Sequence, residues 1–144
     1  MLALGCDHGG YQLKEFLKKH LEKKGIEVKD FGTYSEDSVD YPVYAEKVAK
    51  AVQSGEAEGG ILCCGTGIGI SIAANKFDGI RCALVRDSFS ARLTKEHNNA
   101  NVIALGGRVT GTELAADIVD SWMNAEFQGG RHQGRIDIIS SFEK

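Results

Sequence analysis

The residues best equipped for chemistry stand in four short segments: CysAspHisGlyGly at 6–10, CysCysGlyThrGlyIleGly at 63–69, GluHisAsnAsnAlaAsn at 96–101 and GlyGlyArgHisGlnGlyArg at 129–135. In the second, Gly65, Gly67 and Gly69 permit tight or positive-φ backbone and let N–H groups face an anion at a helix start. The spacing is not the dinucleotide fingerprint G-x-G-x-x-G, and no lysine follows as in a P-loop. A glycine turn needed only for packing gives the same letters. Cys64 precedes this loop, where a helix start favours a thiolate by ~0.3–1 kcal/mol. A thiolate base is one reading of it and a small buried hydrophobe the other. The second reading is the expectation for Cys6, Cys63 and Cys82. Strand alternation sends Cys63 and Cys64 to opposite sides, so at most one of them meets a substrate.

His97 and Asn98 form a polar cluster that a plain helix terminus does not require, although C-capping alone accounts for some of it. Asp7 and His8 follow the first strand, either as ligands reaching a crevice or as a turn-forming pair. Arg131 and Arg135 are four apart, so a helical tail stacks two guanidinium forks on one face, fit for a phosphate or simply solvated. His132 lies between them. The histidines at 8, 20, 97 and 132 show no ligand spacing such as H-x-x-x-H, so no metal is expected. His20 and the lysines at 14, 18, 19, 23 and 24 are expected to face water. One base beside donors for a developing oxyanion is the equipment for shifting a carbonyl between neighbouring carbons.

The elements that must position these groups alternate along the chain. Strands are expected at Leu2–Cys6, Ile26–Phe31, Gly60–Cys64, Arg81–Val85 and Val102–Leu105. Between them run amphipathic helices: one carrying Leu13, Phe16, Leu17 and Leu21 to Gly25, one from Tyr41 and Pro42 to Gly55, one from the glycine loop through Asn75, and one from Ser88 to about Glu96. Thr110-x-x-Glu113 reads as a capping box for a fifth helix with Leu114, Ile118 and Trp122. A last short helix is expected from His132 to about Phe142, in a tail beginning near 131. This is the pattern of a parallel sheet covered on both faces, whose ligands bind beyond the carboxyl ends of the strands. The loops expected at that crevice are therefore CysAspHisGlyGly, CysCysGlyThrGlyIleGly, the region after the fourth strand up to GluHisAsnAsn, and GlyGlyArg at 106–108.

A chain of 144 residues with 42% hydrophobic and 26% charged residues fits a single domain spanning 1–144. Its net charge of −3 supplies no basic footprint, so nucleic acid is not an expected partner. No apolar run is long enough for a membrane and no signal-like start is present, which points to the cytoplasm with all four cysteines as free thiols.

Taken together, CysAspHisGlyGly, AspTyrPro at 40–42, CysGlyThrGlyIleGlyIleSerIleAlaAlaAsnLys at 64–76, GluHisAsnAsnAlaAsn and GlyGlyArgHisGlnGlyArg resemble the ribose-5-phosphate isomerase B family across essentially the whole chain. That family also includes galactose-6-phosphate isomerase subunits. The resemblance implies a Rossmann-like three-layer α/β/α sandwich with a five-stranded parallel sheet. It further implies a dimer or tetramer with shared active sites, no cofactor, and aldose–ketose isomerisation of a sugar phosphate through a cis-enediolate. Cys64 matches the family's base and His97 its ring-opening residue. Thr66 and the backbone of Gly65, Gly67, Ile68 and Gly69 match the loop holding the enediolate oxygens. Asp7, His8, Tyr41 and Asn98 match substrate-binding positions, while Arg108, Arg131 and Arg135, with His8, match phosphate contacts. Cys63 beside Cys64 and Val43 in place of an acid are departures. The alternatives are an isomerase of a six-carbon sugar phosphate, allose 6-phosphate or galactose 6-phosphate, and a non-catalytic phosphate- or nucleotide-binding domain.

Overall fold

β1 (Leu2–Cys6) is buried at every position because it lies inside the sheet, covered on both faces. The computed structural model describes residues 1–143. A single turn of 3-10 helix (His8–Gly10) leads into α1 (Tyr11–Lys23), whose Leu13, Leu17 and Leu21 recur every four residues and are 4%, 0% and 0% exposed. Then follow β2 (Val28–Asp30), α2 (Tyr41–Gln53) with Pro42 in its first turn, and β3 (Gly59–Cys64). The chain continues through α3 (Ile68–Ala74), β4 (Cys82–Leu84), α4 (Ser88–Asn98), β5 (Val102–Gly106), α5 (Thr112–Asn124) and α6 (Arg131–Ser140).

All four strand pairings are parallel, in the order β2-β1-β3-β5-β4. One face of the sheet packs on α1 and α5, with Ala91 of α4, through Leu13, Leu17, Cys63, Ile118 and Trp122. The other packs on α2 and α3 through Ala45, Val48, Cys64, Ile70 and Ala74. This is the three-layer α/β/α arrangement with five parallel strands. No helix among the described residues is long and apolar enough to cross a membrane.

Several sequence expectations need correction. β2 and β4, the edge strands, are shorter than expected, each paired on one side only; at β2 the Ile26 N–H already closes the turn onto the Leu21 carbonyl at 3.1 Å. The capping box does not form. The Thr110 N–H bonds the Gly106 carbonyl at 3.0 Å, so the turn after β5 uses that residue and α5 starts with Gly111 as its cap. Lys14 does not face water: it is fully buried, with Nζ 2.6 Å from Asp30 Oδ2 and donating to the Thr33 carbonyl at 3.0 Å. Burial alone would lower its pKa, but the Asp30 carboxylate more than compensates and holds it above the usual lysine value. His20 is half-buried, 2.8 Å from Asp120 Oδ1.

Candidate active site

The connections from β1 and β3 leave in opposite directions, and the crevice outside their carboxyl ends is where an open parallel sheet offers a ligand a site. Cys6 is in register with Cys63, and Cys64 with Gly106, so the loops after β1, β3 and β5 open side by side.

Asp7 is buried, and its Oδ1 accepts from the N–H groups of Gly9 at 2.9 Å and Gly10 at 3.1 Å. It caps the turn that presents His8. The Val39 N–H donates to His8 Nδ1 at 3.2 Å, so Nδ1 is an acceptor and Nε2 is left to donate.

Cys64 ends β3 and is 5% exposed, with its Sγ receiving the Gly67 N–H at 3.1 Å. Such a bond gains most when the sulfur is anionic. Gly67 makes the contact possible: at φ +81 it takes a left-handed turn, and a Cβ there would lie 2.7 Å from Leu84 Cδ1 and 2.9 Å from the Leu105 carbonyl carbon. The other cysteines are ordinary core thiols. Burial pushes Cys6 and Cys82 up to about 12 and Cys63 well above its usual value, so all three stay protonated. Cys63 and Cys64 do face opposite sides of the sheet.

Thr66 is exposed, and its Oγ1 accepts the Ile68 N–H at 3.2 Å. Two of the loop's N–H groups, those of Gly67 and Ile68, thus have partners within the loop. Tyr41 lies across Gly69, where a Cβ would come within 2.6 Å of its ring and 2.9 Å of its hydroxyl. Arg108 lies over Gly65, and its N–H donates to the Gly65 carbonyl at 3.0 Å.

His97, Asn98, Arg131 and Arg135 are elsewhere. α4 runs back from β4 to the start of β5, a parallel neighbour, so its last residues stand at the amino ends of the strands. Asn98 shows this directly, since its carbonyl accepts from the side chain of Arg81 just before β4. The length of β5, ~15 Å, lies between this group and Cys64. The expectation that GluHisAsnAsn shares the crevice is therefore overturned for a single chain.

At this amino edge the His97 and His132 rings stack with centroids 4.3 Å apart and planes 13° from parallel. His132 is 6% exposed, and its Nε2 has no partner among the described residues. Burial first, then the positive neighbours His97, Arg131 and Arg135, lower its pKa. Arg131 and Arg135 are exposed at four-residue spacing on α6, while His132 and Ile136 are buried. Sequence reading passed over His132. The signal was its four-residue spacing from Ile136, which puts it on the buried face of α6. An open cleft of about 900 Å³ between α4, α6 and the start of β4 touches only Asn98 of the expected site residues. Among the described residues no group of three or more His, Cys, Asp or Glu side chains is placed to hold a metal ion.

The Ribose/Galactose Isomerase family model matches residues 2–139. Ribose-5-phosphate isomerase B of Escherichia coli strain K12 is 53% identical over 143 residues, which are 99% of this chain and 96% of that protein. The solved ribose-5-phosphate isomerase B of Clostridium thermocellum superposes with a TM-score of 0.97 at 56% identity, covering 98% of this chain and 95% of that one. The Mycoplasma genitalium enzyme, solved with bound ribulose-5-phosphate, superposes with a TM-score of 0.93 at 40% identity, covering 98% and 94%.

Proposed function

Because the chain belongs to the ribose/galactose isomerase family, we propose that it is the aldose–ketose isomerase interconverting ribose 5-phosphate and ribulose 5-phosphate, with Cys64 as the base. The observation that carries the reading is Cys64 itself, at the carboxyl end of a central strand with its sulfur bonded to the Gly67 N–H.

In the open-chain aldose the Cys64 thiolate takes the proton from C2 and the electrons move onto the carbonyl oxygen, giving the cis-enediolate. The same sulfur returns the proton to C1, while a proton moves from the oxygen on C2 to that on C1. Charge builds on these oxygens, beside Thr66 and the loop from Gly65 to Gly69, and preorganised donors at that point are worth most in a shielded site. Asp7 and Tyr41 shape the wall around the sugar. His97 takes the proton from the anomeric hydroxyl and returns one to the ring oxygen, and an imidazole suits both steps.

One chain holds the base and the ring opener at opposite edges, so the working site joins the Cys64 group of one copy to the His97 group of a second. The phosphate then sits between His8 and Arg108 of one copy and Arg131 and Arg135 of the other. Supporting this pairing, α3 and its surroundings leave Ile68, Ile72 and Val43 44%, 58% and 48% exposed beside the crevice, an apolar face for a second copy to cover. We place the homodimer in the cytoplasm, where four free thiols are at home.

The test is turnover of ribose 5-phosphate beside allose 6-phosphate and galactose 6-phosphate, in the unmodified chain and two variants. Cys64→Ala is expected to lose roughly 10²–10⁴-fold on the five-carbon substrate while still binding a sugar phosphate, and Cys63→Ala to change turnover little. Near-normal turnover in Cys64→Ala sinks the base assignment. Preference for a six-carbon substrate sinks the choice of sugar.

A further inference from the structure

We propose that Arg81 is the positioning residue for His97 and Asn98, a role that rests on the reading of His97 as the group that opens the sugar ring. Arg81 precedes β4 at the amino edge of the sheet. Its own N–H donates to Asn101 Oδ1 at 2.9 Å, and Asn101 Nδ2 donates to the Gly79 carbonyl at 2.8 Å, so the turn before β4 is tied to the residue before β5. From that anchored base the guanidinium reaches the end of α4. Its Nε lies 3.0 Å from the Asn98 carbonyl and 3.1 Å from that of Asn99, and Nη2 lies 2.9 Å from the Asn99 carbonyl.

These bonds go beyond the helix's own closing pair. Asn99 already closes α4 in the left-handed conformation, φ 45, with its N–H on the Lys95 carbonyl at 3.2 Å and the Ala100 N–H on the Thr94 carbonyl at 3.1 Å. That pairing closes the helix and leaves the Asn98 and Asn99 carbonyls for an outside donor. Arg81 adds a second fixation, on the two carbonyls that directly follow His97. It does so at a cost, because burial lowers the guanidinium's pKa against the opposing pull of Glu143. A planar fork holds two successive carbonyls in one fixed geometry, whereas an ammonium on its flexible stem sets no such plane. With the backbone at 98 and 99 held and the His97 ring stacked on His132, the imidazole has little freedom left.

The experiment separates ring opening from proton transfer. Single-turnover conversion of ribose 5-phosphate needs both, whereas exchange of the C1 proton of ribulose 5-phosphate with solvent deuterium needs only the enediolate step. His97→Asn is the benchmark, expected to slow the first much more than the second. Arg81→Met is expected to follow it, with aldose conversion down roughly ten- to a hundred-fold and ketose exchange changed less than about threefold. Arg81→Lys should fall between, and it carries the test if Arg81→Met fails to fold. The double variant Arg81→Met/His97→Asn should be no slower than His97→Asn alone, as expected of residues acting through one another. Equal loss in both assays, no loss in Arg81→Lys and Arg81→Met, or additive losses in the double variant overturn the role of Arg81. If His97→Asn itself slows both assays alike, the ring-opening assignment falls first and this inference falls with it.

Discussion

The separation of the two residue groups makes a sharp prediction for mixtures of inactive chains. Take one chain with Cys64→Ala and a second with Arg131→Ala and Arg135→Ala. The first loses its base; the second loses two charge-assisted contacts worth about 1.5–3 kcal/mol each, enough to empty the site at ordinary substrate levels. No side chain spans the ~15 Å length of β5, so within one chain the groups cannot cooperate. In a two-fold dimer each site takes one group from each copy. A mixed dimer then has one site with both defects and one with none. Random pairing of equal amounts makes half the dimers mixed, so co-refolded chains should recover about a quarter of normal activity. The control is a chain carrying all three substitutions, co-refolded with an equal amount of unmodified chain. Mixed dimers there contain no intact site, so the activity of the unmodified input should drop by about half. A dead mixture in the first experiment, or an unchanged input in the second, refutes sharing of the site between copies.

Two further outcomes follow from buried charge. Lys14→Met leaves Asp30 with only the part-exposed Lys18 at 3.6 Å and the Gly32 N–H at 2.8 Å, and should lower stability by about 1.5–3 kcal/mol in urea unfolding, most of it regained in Lys14→Met/Asp30→Leu; a single variant as stable as the parent contradicts the burial of that pair. His132 has a folded-state pKa below its ordinary value of 6.5, so on acidification the unfolded chain takes up this proton first and stability falls from about that pH downward. His132→Leu should therefore lose less stability than the parent between about pH 7 and pH 5, read as the shift in urea midpoint, and an equally steep acid limb in both would show that His132 does not carry it.

Where the fold was legible in the sequence, a periodicity made it so. Leu13, Leu17 and Leu21 announce α1, and the all-apolar LeuAlaLeuGlyCys announces a strand covered on both faces. Lys14 was not legible because its partner, Asp30, lies sixteen residues away on β2, and nothing local says that the two will meet. The capping-box letters at Thr110 and Glu113 misled for a related reason: the turn after β5 had a prior use for the Thr110 N–H.

The place of His97 was illegible in the sequence, and the reason is topological. In a parallel sheet the connection after a strand begins at the carboxyl edge and must end at the amino edge, where the next strand starts. The ArgAsp that follows Val85 is on the crevice side, but the GluHisAsnAsn that precedes Val102 has already been carried back by three turns of α4. Treating the whole connection as one loop erased that distinction. Applied strictly, the same rule puts Asp7, His8, Cys64, Thr66 and Arg108, all within a few residues after a strand or at its last position, on one edge. It puts His97, Asn98, Arg131 and Arg135, all at or beyond the end of a returning helix, on the other. If the proposed chemistry draws on both sets within hydrogen-bond reach of one small sugar phosphate, one copy cannot complete it, and catalysis requires the pairing of copies proposed above.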